Sequence, residues 1–418
     1  MIKSSKGSCM SKFVFPAVAA AVTLLAGSAT GAWAAEAKNM NSKAAGKQLV
    51  DSSKAMKAKN YPECIKKAQE ALAAPGHTPY DAYVANQLLA PCYAGAGNNT
   101  EAAAALEAQL DSGFMPADQQ RPTIETLAKI AYGAKNYPKA VDLGNRLIKS
   151  GSADAEMYTV VAQALYLQKK YSEAAKFLAD YVKEVEGKGQ QPKEPTLVLL
   201  RGAYDQAGNN SGATDALEKL VMYYPKKEYW RNLMYTLRRM PGMSDRHTLQ
   251  VYRLMVANQT MEQCSDYTEM AELAVAGGNP GEAQKVLEAA QAASACAEQQ
   301  RDKDRTARML ESVKKSAATD QASLPKVEKE AAAAKTGDVD AALGNAYLSY
   351  GQNDKAIESF GRALTKGGLK NTADVQLTQG VAYTRAGNKA EALKAFRAVK
   401  SEDPVYTRLA KLWSLYVQ

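Results

Sequence analysis

The chain has 418 residues, 46% of them hydrophobic and 23% charged, with a formal net charge of +9. Its only histidines are His77 and His247, 170 positions apart, and no His-Glu-x-x-His, Gly-x-Ser-x-Gly or phosphate-loop pattern occurs. Composition therefore leans away from a zinc enzyme, a serine hydrolase or a nucleotide-driven machine, and leaves an excess of tyrosine (22, against six phenylalanines and three tryptophans) to be explained.

The first 34 residues have the three parts of a secretory signal: Lys3, Lys6 and Lys12, then an apolar run over 13–27, then Ala32-Trp33-Ala34 as a small-x-small cleavage site. Met10 offers a second, tighter start. Pro16 and the weakly apolar alanines argue against an uncleaved anchor. No cysteine follows Leu24-Leu25-Ala26-Gly27, which argues against a lipoprotein. The mature chain is expected from about Ala35, with no membrane span, in the periplasm of a Gram-negative bacterium. Three lysines and no acid leave with the signal, so the net charge falls from +9 to +6. That is mild and interspersed, and suggests no nucleic-acid partner. Four cysteines, Cys64, Cys92, Cys264 and Cys296, enter an oxidising compartment. Residues 35–44 read as a flexible start.

From residue 45 the chain repeats itself, with units beginning near 45, 83, 121, 155, 194, 228, 264, 303, 337 and 373. Tyr61 and Cys64, Gly97 and Ala102, Tyr137 and Ala140, Tyr171 and Ala174, Gly208 and Ala213, and Gly278 and Ala283 mark successive inner turns and second helices. The unit after Trp230 has an irregular Met240-Pro241-Gly242-Met243 turn, and the one over 303–336 is charged and lacks the landmarks. The clearest pair closes the array. Gly344, Tyr347, Gly351, Asn353, Ala356, Phe360 and Ala363 recur as Gly380, Tyr383, Gly387, Lys389, Ala392, Phe396 and Val399, followed by Pro404.

These residues resemble the 34-residue helix–turn–helix pattern of the tetratricopeptide repeat over almost all of the mature chain. The resemblance implies an all-α fold: a right-handed α-solenoid of about ten units, too small singly to bury their apolar faces. The expected organisation is a signal at 1–34, an N-terminal array over 45–302 of about seven units, a degenerate helical unit at 303–336, a repeat pair at 337–403 and a capping helix at 404–418. Leu409, Leu412, Trp413 and Tyr416 give that cap its apolar stripe. Nine tyrosines (61, 93, 137, 158, 171, 204, 267, 347 and 383) fall at repeat positions 4, 11 or 17, where a large side chain wedges adjacent helices.

In a helical hairpin, residues equidistant from the turn lie level. Cys64 and Cys92 are centred on the 75–79 connection, and Cys264 and Cys296 on Pro280, so the register pairs Cys64 with Cys92 and Cys264 with Cys296. The alternative for Cys64 is a small buried thiol where repeats prefer alanine.

The resemblance implies a partner protein or peptide on the concave, first-helix face. Transferring the family's exposed first-helix positions gives Gln163, Tyr166, Asp205, Trp230, Arg231, Tyr235, Arg238, Arg239 and Asn345 as candidates. The Trp230–Arg239 cluster is the richest, since arginine with tyrosine suits a carboxylate or an aromatic; its alternative is a solvated basic face with Trp230 in the core. The family's carboxylate clamp is not matched, because the unit after Asn345 has Thr378 where asparagine is needed. His247, beside Asp245 and Arg246, reads as a surface pair. No catalytic residue, cofactor or metal is expected. The reading is a non-enzymatic interaction scaffold, similar in general flavour to exported repeat proteins of TonB–ExbB–ExbD transport systems. The alternative is a substrate platform for an envelope polysaccharide or peptidoglycan enzyme.

Overall fold

The computed structural model describes residues 42–418, so the expected signal lies outside the described residues. Within them every regular element is an α-helix, twenty in all. The described chain divides into two compact units, 42–192 with 202–209, and 193–201 with 210–418.

The first unit holds α1 (Lys43–Lys57), α2 (Tyr61–Ala73), α3 (Pro79–Gly95), α4 (Asn99–Asp111), α5 (Ala117–Gly133), α6 (Tyr137–Lys149), α7 (Ala155–Leu167) and α8 (Tyr171–Gly187). They pack in sequence as four hairpins. Helix α1 starts inside the stretch read as flexible, because the Ser42 hydroxyl accepts from the Ala45 N–H at 3.1 Å and caps it. Helix α9 (Glu194–Gln206) is divided between the units.

The second unit continues with α10 (Asn210–Tyr223), α11 (Lys227–Leu237), α12 (Asp245–Ala257), α13 (Cys264–Ala276) and α14 (Pro280–Ala292). A single helix of 34 residues follows, α15 (Gln300–Ala333), and then α16 (Asp338–Ser349), α17 (Asn353–Lys366), α18 (Thr372–Arg385), α19 (Lys389–Ala398) and α20 (Pro404–Val417). First helices thus begin within four residues of every unit start read from the sequence. The degenerate eighth unit is one unbroken helix, not a hairpin. It lacks the glycine-asparagine turn, and Thr306, Leu310, Val313, Ala317, Leu324 and Ala331 bury one continuous stripe along it.

The inner turns explain why the other units fold back. One residue enters the left-handed region, glycine at 97, 208, 278, 351 and 387, and lysine at 59, 135 and 169. The following N–H then reaches back to the preceding helix: Asn60 to the Ala55 carbonyl at 2.9 Å, Asn98 to Tyr93 at 2.8 Å and Asn388 to Tyr383 at 2.9 Å. This closes each first helix with a Schellman-type cap. Asn60, Asn136 and Asn388 then cap the second helix through their side chains.

Helix pairs meet through small residues. The Phe360 ring occupies the space where a Cβ on Gly344 would sit, 2.7 Å from it, and Phe396 does the same at Gly380. Of the nine wedge tyrosines, Tyr347 is buried and the other eight are half-buried, as packing residues with a wet hydroxyl should be. Cys64 on α2 is bonded to Cys92 on α3, and Cys264 at the start of α13 to Cys296 beyond α14, with Cα separations of 6.3 and 4.7 Å.

Candidate functional site

The arginine–tyrosine cluster on α11 is engaged within the fold. Arg231 makes a two-pronged ion pair with Glu262, at 2.8 and 3.0 Å. The Tyr235 hydroxyl donates to Asp266 at 2.6 Å, and Arg238 spans Asp266 and Glu269 at 2.9 and 2.6 Å. Burial and the Asp266 hydrogen bond push the Tyr235 phenol far above its ordinary range. Three pairings lie 31 residues apart in sequence, so the cluster is a polar ladder joining α11 and its C-terminal end to α13 and the residues just before it. Trp230 is only 5% exposed and belongs to the core, which corrects its place among the surface candidates. Arg239 is exposed and has no ion pair among the described residues. Asn345 is half-buried on α16 and donates to its own helix, to the Ala341 carbonyl at 3.1 Å.

Helix α12 is the feature that sequence reasoning missed. Residues 247 and 249–255 are all buried, so this second helix is enclosed rather than amphipathic. Its polar residues face helices far along the chain. Gln250 donates to Asp374 at 3.1 Å and Thr378 at 2.8 Å on α18. Arg253 pairs with Glu282 on α14 at 2.8 Å, and Arg385 at the end of α18 reaches the same carboxylate at 2.7 Å. Burial alone would raise the Glu282 carboxyl; the Arg253 and Arg385 guanidiniums overcome it and hold it at about 2.

His247 is likewise buried, correcting its reading as a surface group. Its Nδ1 accepts from the Ser244 N–H at 3.2 Å, its Nε2 lies 3.2 Å from Asp403, and its ring packs on Tyr406 of α20 at 4.5 Å. Helix α20 also returns to the start of its unit: Arg408 pairs with Asp215 and Glu218 on α10, each at 2.7 Å. The C-terminal helix is therefore more than an outer cap. Beside the end of α12 remains a cleft of about 490 Å³, lined by parts of α12, α13, α14, α16 and α18.

In the first unit, first helices α5 and α7 carry a second ladder. The Tyr132 hydroxyl donates to Gln163 at 3.0 Å, and Lys129 bridges Glu125 and Glu156, 2.9 Å from each. Asp154 joins these two carboxylates in the one acidic group among the described residues close enough to hold a cation, and Lys129 already supplies positive charge there. Tyr166 is half-buried and stands edge-on to Tyr171 at 5.0 Å, beside Leu167, which is 44% exposed. Burial, Tyr171 and then the Asp205 carboxylate raise the Tyr166 phenol; Asp205 itself is exposed. Gln163, Tyr166 and Asp205 thus fall in one unit, and the α11 cluster and Asn345 in the other.

A tetratricopeptide repeat family model matches residues 126–190 and 341–406. No curated protein matches the chain. Solved structures similar to it include the yeast Sti1 TPR2AB domain in its pHSP90 complex, with 12% identity, 72% of this chain and 99% of that one covered, and a TM-score of 0.26. A tetratricopeptide repeat protein from Parabacteroides merdae matches at 13% identity, covering 71% and 99% of the two chains, with a TM-score of 0.26. Yeast Tom70 matches at 12% identity, covering 88% and 87%, with a TM-score of 0.24. Among the described residues no helix is long and apolar enough to cross a membrane.

Proposed function

We propose that this tetratricopeptide-repeat chain is an exported, non-enzymatic scaffold of the Gram-negative periplasm that docks a partner protein on the first-helix face of its first unit, at α7. Proteins built from such repeats bind protein partners, and a stack of first helices offers an extended surface for one. The observation that carries the reading is an aromatic side chain standing beside an exposed apolar one on a single first helix, α7. On α11 and α13 the polar groups are consumed by Arg231–Glu262, Tyr235–Asp266 and Arg238–Glu269. On α7, Tyr166 and Leu167 present an aromatic and an apolar side chain that are half-buried and exposed. Aromatic residues with a polar handle are the usual anchors of a protein interface.

Export is supported by the signal-like residues 1–34 and by two disulfides, which persist in oxidising compartments. In this proposal the partner belongs to a cell-envelope transport complex, a reading prompted by the general similarity to exported repeat proteins of energised outer-membrane transport. Crosslinked affinity capture from the periplasm tests the reading. A partner should be recovered with the wild-type chain and lost when Gln163 and Tyr166 are both replaced by alanine. Equal recovery with that double variant removes the α7 face from the account.

A further inference from the structure

Because the eighth unit supplies one helix instead of two, α14 contacts α16 as well as α15. The cleft of about 490 Å³ lies where the ends of α12 and α16 meet the side of α14. Its size is that of a small-molecule site, about 300–1,000 Å³. Two properties define what it would hold.

Its walls are apolar and adaptable. Met255, Met261, Met270 and Leu348 line it, all buried, and unbranched thioether side chains fit themselves to a flexible chain. At the rim Val256 is 44% exposed, an apolar side chain at the mouth.

Its polar flank is short of negative charge. Glu282 is the one acid lining the cleft, and Arg253 and Arg385 already share it, at 2.8 and 2.7 Å. Lys285 is the second cation of the lining, after Arg385, exposed and without a carboxylate within 4 Å among the described residues. Burial first, and then the Arg385 guanidinium, push the Lys285 ammonium below its ordinary range, against the opposing pull of Glu282. With Glu282 already paired to the buried Arg253 outside the lining, Arg385 and Lys285 leave a cationic edge beside a methionine-lined cleft.

We infer that this cleft binds a small amphiphilic anion, a medium-chain alkyl carboxylate, with the chain among Met255, Met261 and Met270 and the carboxylate at Lys285 and Arg385. The site is independent of the partner face on α7, and makes the second unit a ligand-binding module.

Isothermal titration of the full mature chain with decanoate tests this, using 1-decanol as the uncharged probe of equal length. One saturable decanoate site is expected, with decanol about tenfold weaker because it forgoes the charge-assisted contacts. Lys285→Gln should weaken decanoate about three- to tenfold and leave decanol unchanged. Val256→Glu, at an exposed position, should remove decanoate binding while circular dichroism stays that of the wild type. The inference is overturned if decanoate fails to saturate, if decanol binds as tightly, or if both variants bind decanoate like the wild type. It is equally overturned if a short peptide with an apolar last residue and free carboxylate outcompetes decanoate at the same site, since the ligand would then be a chain terminus.

Discussion

Replacing Arg253 by alanine tests whether α12 is held in the second unit by its ion-pair network. Arg253 is 3% exposed and Glu282 4%, and three contacts of 2.8 to 3.2 Å join them. The substitution leaves a buried carboxylate with Arg385 alone. Breaking a buried pair from one side costs about 3–5 kcal/mol, because the remaining charge has lost both water and its partner. Arg385 keeps part of that from appearing, so a loss near 3 kcal/mol is expected. The informative control is Arg253→Met with Glu282→Met, which removes both charges and fills the space. Buried pairs replaced by apolar residues of similar volume are often neutral, so the double variant should lie within about 1 kcal/mol of wild type. Arg385, 30% exposed, can then turn to solvent. Urea unfolding followed by circular dichroism gives both values. A single-variant loss under about 1 kcal/mol, or a double variant as unstable as the single, refutes the view that the cost of Arg253→Ala is that of a buried carboxylate stripped of its partner.

Other outcomes follow from the same geometry. Gly380→Ala, which in an open helix interior gains about 1 kcal/mol, should instead cost about 1–3 kcal/mol because the Phe396 ring occupies the Cβ space; thermal unfolding reads the sign. Removing the Cys64–Cys92 disulfide by paired serine substitution should lower stability by roughly 3–4 kcal/mol, from the chain entropy of the 28-residue loop, measured by urea titration without reductant. Glu282, held at about 2 when folded and near 4.3 when unfolded, contributes stability that is complete above about pH 4.3 and is lost as pH falls toward 2. An acid titration of the wild type should therefore show a loss of up to about 3 kcal/mol over that window that is absent from the Arg253→Met/Glu282→Met variant.

The hairpins were legible because their determinants are local. A left-handed turn residue, a capping asparagine and small residues under Phe360 and Phe396 recur at fixed spacing, and each acts within one unit. The α11–α13 ladder was legible in principle. Positions 231, 235 and 238 face acids at 262, 266 and 269, a complementarity visible only when the chain is read at a 31-residue offset. The enclosure of α12 was not. Its partners are 29 to 128 residues away, and no local pattern separates a buried Gln250 or Arg253 from a solvated one. The same holds for His247, whose adjacent Asp245 and Arg246 suggested a surface pair while its neighbours in space are Asp403 and Tyr406. The cleft depends on α15 being one helix, which the missing turn in 303–336 only hinted at.

The central claim is that the first-helix face of α7 docks a protein in the exported chain. A photoreactive amino acid placed at position 167, where Leu167 is 44% exposed, and at position 275, where Val275 is 43% exposed on α13, tests it in living cells. One discrete protein adduct is expected from position 167, in the periplasmic fraction, and none from position 275. Adducts of equal yield from both positions, or none from 167, would contradict it.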